Sequence, residues 1–540
     1  MRSRPHLEPF DDIDIRGRHA ILATPAEPPQ LSMQIPVVDI FAGPGGLGEG
    51  FSAFGAGADG RHPFKIAVSA EKEANASKTL RLRAFFRQFE HGHVPRSYYD
   101  YVAGRITQPW TESTKAEWKQ ACDEALQLEL GKQEDDERLF GRIRSQALTG
   151  DVPWVLIGGP PCQAYSLVGR ARNKGVVGYK AEEDPRHFLY RHYLEIIRRF
   201  RPSIFVMENV KGILSSRVGG ELVFPRILED LERPGGKGGA RYRILPLVSS
   251  DGTFATCPAD PKPGDFLLKA EQLGVPQARH RVVLLGVRED VPVFNARLMT
   301  PSNRRYSVAD VIRGLPMLRS SFTDRDDEDW GLLASKVFAD AARAAERTQP
   351  EASARLRDLQ QRVLTQRDPG SGSRWTRRAG RGRLPEHLSS WLLDPKVGGQ
   401  LNHEVRGHMA ADLARYAYAA AYANIHGRSP RGAEEFPKAL HPSHQNWKSG
   451  KFVDRFKVQL WDAPSSTVTS HLSKDGHYFI HPDALQLRSL SVREAARLQT
   501  FPDNYFFEGP RSAQFQQVGN AVPPWMARGI AETVHSVLVG

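Results

Sequence analysis

Five short stretches of this chain are apolar almost throughout: Ile35–Phe41, Phe64–Ser69, Trp154–Ile157, Ile204–Met207 and Val282–Val287. A strand with one wet face alternates apolar and polar side chains. Runs without that alternation predict strands buried on both faces, as in a parallel sheet. Helical patterns lie between them, such as "FLYRHYLEIIRRF" ahead of Arg201-Pro202. This succession predicts a doubly wound α/β domain.

Residues 1–33 are polar with scattered prolines and read as a flexible tail, without the apolar core of a secretory signal. The α/β pattern then fills 34–289, with a charged, helix-like insert over about 72–150. In that insert Trp118, Cys122, Ala125, Leu126 and Leu130 fall on one helical face, which predicts a packed Cys122. After Val287 the rhythm stops. Residues 290–455 are rich in arginine and turns, densest in "RDPGSGSRWTRRAGRGRLP", Arg367 to Pro385, which reads as a flexible basic segment. Residues 456–540 return to compact helix-and-turn signals.

The chain has three cysteines, an odd number at wide spacing, and Cys257 has no evident partner. That argues against a disulfide framework and for a reducing compartment. No apolar run is long enough to cross a membrane. A net charge of +12 suits a polyanionic partner, most simply nucleic acid, or else marks a merely basic surface.

Chemistry-bearing residues gather where the apolar runs end. The first run passes into "DIFAGPGGLGEGF", with Gly43, Gly45, Gly46 and Gly48 directly after the strand. Such a turn lets backbone approach a ligand, although the spacing is not the dinucleotide G-x-G-x-x-G. Glu71 follows the second run, where an acid can accept ribose hydroxyls. Cys162 follows the third, after Pro160-Pro161 in "GGPPCQAYS". It is a reactive thiol near Arg170 and Arg172, or an inert buried cysteine. Glu208 and Asn209 close the fourth run, where a partly buried carboxyl can hold a proton and pass it to a base, or simply brace a turn. Gln277, Arg279 and Arg281 introduce the fifth. Their alternation predicts one shared direction along a strand.

Together these stretches resemble the DNA (cytosine-5) methyltransferase family. "DIFAGPGGLGEGF", "GGPPCQAYS", "MENV", "QARHR", "REAARLQTFPD" and "QVGNAVPP" are similar to its motifs, in the family's order. The resemblance implies a Rossmann-like catalytic domain with a smaller target-recognition domain, which would be about 290–455. It implies S-adenosyl-L-methionine as methyl donor, leaving S-adenosyl-L-homocysteine, with no metal. Asp39, Phe41, Ala42, Gly43, Gly45, Gly46, Glu71, Pro160, Asn520 and Val522 would form the donor site. Asp100 would be the acid that meets the adenine. Cys162 would attack carbon 6 of a flipped-out cytosine, with Glu208 holding ring nitrogen 3 and Arg281, beside Arg279, holding the exocyclic oxygen. Gln163, Ser166, Arg170, Arg172, Asn209 and Gln277 would face the flipped nucleotide. Arg374, Arg377 and Arg378, with Trp375 and Trp447, would meet duplex DNA.

The family further implies a cytoplasmic, nucleoid-associated bacterial enzyme, acting on DNA as a monomer. A cognate restriction or defence nuclease would act separately. Three readings compete: an RNA methyltransferase, a catalytically dead DNA-binding module and a nicotinamide enzyme. "HEVRGH", His403 to His408, is only loosely similar to a zinc motif, because its histidines are five apart and do not share a helix face.

Overall fold

A computed structural model describes residues 34–539, except 56–61, 91, 147, 149–152, 162–184, 219, 255–259, 294–295, 325–328, 379–383, 444–446 and 448–453. All five apolar runs are strands of one eight-stranded sheet. They are β1 (Ile35–Ile40), β2 (Phe64–Glu71), β4 (Val155–Gly158), β5 (Ile204–Val210) and β11 (His280–Arg288). The sheet also takes in β3 (Ala125–Gln127), β8 (Tyr242–Leu245) and β9 (Leu267–Lys269), while β6 (Arg217–Val218) and β7 (Glu221–Leu222) pair with each other outside it. The order is β3-β2-β1-β4-β5-β11-β8, with β9 beside β11. Strands β2, β1, β4 and β5 are parallel, whereas β11 runs antiparallel to β5. The fifth run therefore departs from the parallel expectation. Apolar composition reports burial on both faces and carries no strand direction.

Burial on both faces is visible residue by residue. Val38, Ile40, Leu156, Phe205 and Leu284 pack on one side, with Tyr193, Ile196 and Ile197 of the helix Pro185–Phe200. Val37, Val155, Ile157, Val206 and Val283 pack on the other, with Met526, Ile530 and Val534 of the helix Pro524–Val539. Gly46 makes that second layer possible, because a Cβ there would lie 2.1 Å from the Val522 carbonyl oxygen.

The presumed insert contributes an edge strand. The helix Lys115–Glu124 ends before Ala125, and residues Ala125–Gln127 pair with Ser69–Glu71 as β3. Ala125 and Leu126 thus leave the helical face expected for them, and Cys122 is only half-buried. Burial still pushes its thiol up.

Beyond β11 a separate core forms around the helices Trp330–Ala345, Pro350–Thr365 and Ala410–His426. Phe456, Val458, Ile480, Leu485 and Leu487 belong to the same core, so no packing boundary falls at residue 455. Part of the basic stretch is ordered as a ribbon: β12 (Gly372–Arg377) pairs antiparallel with β13 (Gly399–Glu404). The C-terminal return is knit by buried ion pairs. Arg488 grips Glu494 through two 2.6 Å hydrogen bonds, and Arg497 grips Asp503 at 2.7 and 2.9 Å. Among the described residues no helix is long and apolar enough to cross a membrane.

Candidate active site

Register brings the carboxyl ends of β1, β2, β4 and β5 to one edge, with Ile40 opposite Ala70 and Gly158, and Gly158 opposite Met207. The antiparallel β11 begins at the same edge, with Arg281 opposite Val210. Ligands bind at such edges because loops diverge there. A cavity of about 810 Å³ occupies it, lined among others by Phe41, Ala42, Gly43, Glu71, Pro160, Pro161, Glu208, Asn209, Asn520 and Val522.

At one end the turn after β1 is left-handed at Phe41 (φ 54°), Gly43 (φ 58°) and Gly45 (φ 94°). This curls the backbone around Glu71. The Gly43 and Glu73 N–H groups each donate to a different Glu71 oxygen at 2.8 Å. Burial nevertheless raises the Glu71 carboxyl above its ordinary value. The Tyr505 hydroxyl donates to the Pro44 carbonyl and ties the turn to the C-terminal return.

At the other end Glu208 and Arg281 form an ion pair, Oε1 to Nε 2.8 Å, with side chains 15% and 12% exposed. They sit on adjacent strands as a diagonal pair, which the register of β5 and β11 fixes. Burial depresses the Arg281 guanidinium despite its carboxylate partner. Asn209 lines the cavity, and its Nδ2 donates to the Pro160 carbonyl at 3.4 Å. It therefore braces the Pro160-Pro161 turn, where a contact to DNA was expected. Cys162 follows Pro161 directly and, with Gln163, Ser166, Arg170 and Arg172, lies outside the described residues.

A model of the C-5 cytosine-specific DNA methylase family matches residues 113–536. The chain belongs to that family. It is 34% identical over 529 residues to the type II methyltransferase M.Bpa9945I of Bacillus paralicheniformis, a match covering 93% of this chain and 99% of that one. It is 27% identical to the type II methyltransferase M.AgeI of Thalassovita gelatinovora, over 70% of this chain and 82% of that one. The DNA (cytosine-5-)-methyltransferase M.ApeKI of Aeropyrum pernix is also 27% identical, over 71% of this chain and 81% of that one.

Several residues expected at the site of this methylase stand elsewhere. Asp39 lies beneath the cavity, 1% exposed, against Gly48. Neither oxygen has a partner of hydrogen-bond geometry among the described residues, and burial pushes the carboxyl up to about 8, against a smaller opposing pull from Arg87. Gly45 and Gly46 shape the turn without lining the cavity. The strand breaks at Arg279, between β10 (Gln277–Ala278) and β11. Alternation therefore fails there. Arg279 turns inward, 1% exposed, and donates to the carbonyls of Val468 (2.7 Å) and Gly519 (3.1 Å). Burial and the neighbouring Arg281 hold its guanidinium well below the usual range. Gln277 is fully buried and bonds the C-terminal return at Leu498, Gln499 and Val468. Both residues tie β10 and β11 to other elements, and neither lines the cavity.

On the basic ribbon Arg374 donates to the carbonyls of Val102 (3.1 Å) and Tyr101 (2.8 Å) and stacks on Phe506. Arg378 lies 3.7 Å from Asp503, and of these three arginines only Arg377 is exposed without such a role among the described residues. The Trp375 indole donates to the Val397 carbonyl, and Trp447 is buried against Phe436 and Phe456. His403 bonds Ser491 and Pro316, and His408 bonds Ser320. Burial lowers these histidines to about 4 and about 3. Asp100 pairs with Arg105 and Arg96, away from the cavity. The acid after β3 that does reach the cavity is Glu129, flanked by Lys72 and Lys132. Reading "ALQLELGK" as continued helix hid it.

Asp39 carries a prediction. Its folded value of about 8 exceeds the unfolded value of about 3.9, so the fold retains a proton that the unfolded chain releases. The associated stability is complete below about pH 4 and is lost as pH rises through 8. The neutral Asp39→Asn variant should therefore gain on wild type in thermal melts from pH 5 to 8, by up to about 1.4 kcal/mol per pH unit. A pH-independent difference would reject this.

Proposed function

We propose that this methylase transfers a methyl group from S-adenosylmethionine to carbon 5 of a flipped-out cytosine in a specific duplex DNA sequence, through a Cys162 adduct. The observation that carries the reading is one cavity joining the Phe41–Gly43 turn and Glu71 at one end to Pro160, Pro161 and Glu208 at the other, with Arg281 paired to Glu208 behind it. The donor end fits a nucleoside. It offers backbone approach at Gly43, a half-buried acid with lone pairs left for ribose hydroxyls, and room beyond Glu71 for a purine.

Bound there, the donor would supply an electrophilic methyl group. The chain's own residues do the rest. The Cys162 thiolate forms a bond to carbon 6, and the displaced electron pair makes carbon 5 nucleophilic. Glu208 holds ring nitrogen 3, where charge builds, and Arg281 fixes that carboxyl. After carbon 5 has accepted the methyl group, loss of its proton restores the double bond and expels the thiolate. These atoms are out of reach in a stacked duplex, so the base must leave the helix.

The region built on the helices Trp330–Ala345 and Ala410–His426 with the β12–β13 ribbon is the proposed target-recognition part. Exposed Arg377 is its best-placed phosphate contact. The names of the type II relatives support a role beside a restriction nuclease. Incubation with labelled donor and either duplex DNA or tRNA, followed by bisulfite sequencing, tests the reading. Methylated cytosine at one recurring duplex sequence is expected. Label in tRNA alone would overturn it.

A further inference from the structure

The end of the cavity beyond Glu71 is closed by two pieces of chain that the sequence keeps far apart. One is the loop after β3, with Glu129, Leu130, Gly131 and Lys132. The other is the helix Pro185–Phe200, which presents Leu189 and His192. A single carboxylate joins them. Asp136 Oδ1 accepts the Gly131 N–H at 3.0 Å, and Asp136 Oδ2 lies 3.3 Å from His192 Nδ1. Gly131 has φ 101°, and a Cβ there would stand 3.2 Å from His192 Nε2, so the imidazole edge rests on the Gly131 backbone.

This arrangement assigns the ring's roles. A carboxylate beside Nδ1 keeps the proton on that nitrogen, which leaves Nε2 as an acceptor. Nε2 has no hydrogen-bond partner among the described residues, and the ring lines the cavity. The polar side chains of the loop, Glu129 and Lys132, are already engaged. Glu129 places one oxygen 2.5 Å from Lys72 Nζ and the other 2.5 Å from Lys132 Nζ, and the two ammonium groups hold its carboxyl far below the ordinary range, to about 2.

We propose that His192, oriented by Asp136, is the base-reading residue of the donor site and accepts a hydrogen bond from the 6-amino group of the donor's purine. The inference rests on the donor-site reading above. Asp136 is a positioning residue that acts through the ring.

Calorimetric binding of S-adenosylhomocysteine and its S-inosyl analogue tests it. The analogue carries a carbonyl where adenine carries the amine, so two acceptors would face each other. Wild type should bind the adenosyl compound about tenfold more tightly, the worth of a hydrogen bond and of leaving an acceptor unmatched. His192→Ala should bring that preference close to unity, mainly by weakening the adenosyl compound. His192→Gln, whose amide oxygen can accept, should keep part of it, and Asp136→Asn should lower it by loosening the ring. If His192→Ala weakens both compounds equally, the residue is structural and the inference falls while the donor site stands. If wild type binds neither compound, the donor-site reading falls and the inference with it.

Discussion

Methyl transfer is expected to vanish when Cys162 is replaced by alanine, a loss on the order of 10⁴-fold or more, while S-adenosylhomocysteine still binds. The expectation follows from the chemistry of the ring. Carbon 5 of cytosine is a poor nucleophile, and an addition at carbon 6 is what activates it. The chain places a thiol directly after Pro161, a cavity-lining residue, and Asn209 holds the preceding Pro160 carbonyl. The donor end, at Gly43 and Glu71, lies on other strands and should be untouched. Duplex DNA with 5-fluorocytosine at the target separates covalent from noncovalent loss. Fluorine cannot leave carbon 5 as a proton does, so wild type should remain attached through denaturing electrophoresis and the variant should not. A variant that still methylates, or that still forms the adduct, sinks the covalent mechanism.

How much of this was legible in the sequence depended on what each pattern encodes. All-apolar runs encode burial on both sides, and β1, β2, β4, β5 and β11 stand where those runs are. The same pattern says nothing of direction, so the reversal of β11 was invisible. Strand β3 is three residues long and follows a helix whose apolar spacing continues into it. Periodicity could not separate the two, and so Glu129, Lys132 and the Gly131–His192 contact were missed while Asp100, away from the cavity, was favoured. In "ELGK" the glycine was the available signal, since Gly131 needs a left-handed backbone.

Residues proposed to act on the base were easier to find than residues that hold them in place. Glu208 and Arg281 share the edge predicted for them. Gln277 and Arg279, from the same short motif, are used instead to lock β10 to the C-terminal return. Alternation along a strand predicts facing only where the strand is continuous, and it is interrupted at Arg279. The arginine-rich segment failed for a related reason. Composition counts charges, whereas Arg374 is consumed by two backbone carbonyls and an aromatic ring, and Arg378 faces an aspartate. A net positive charge can thus be partly spent within the fold, and only the exposed remainder is left free for a polyanion.

The Glu208–Arg281 pair yields the other large effect. Glu208→Gln preserves shape and one acceptor oxygen for Arg281 but removes the ionisable group that would serve ring nitrogen 3. Turnover should fall about 10²- to 10⁴-fold, the range for loss of a positioned acid, with a smaller loss of thermal stability than removal of the partner, because the amide oxygen still accepts from the Arg281 guanidinium. Arg281→Met should behave differently. It strands a carboxylate that is only 15% exposed, which costs on the order of 3 kcal/mol, so the melting temperature should drop along with turnover. Single-turnover rates at saturating donor, measured beside calorimetric melts, distinguish the two. Wild-type turnover in Glu208→Gln would remove this carboxyl from the chemistry. An unshifted melt in Arg281→Met would show that the pair adds nothing to the fold, leaving the guanidinium's role to be judged from rate alone.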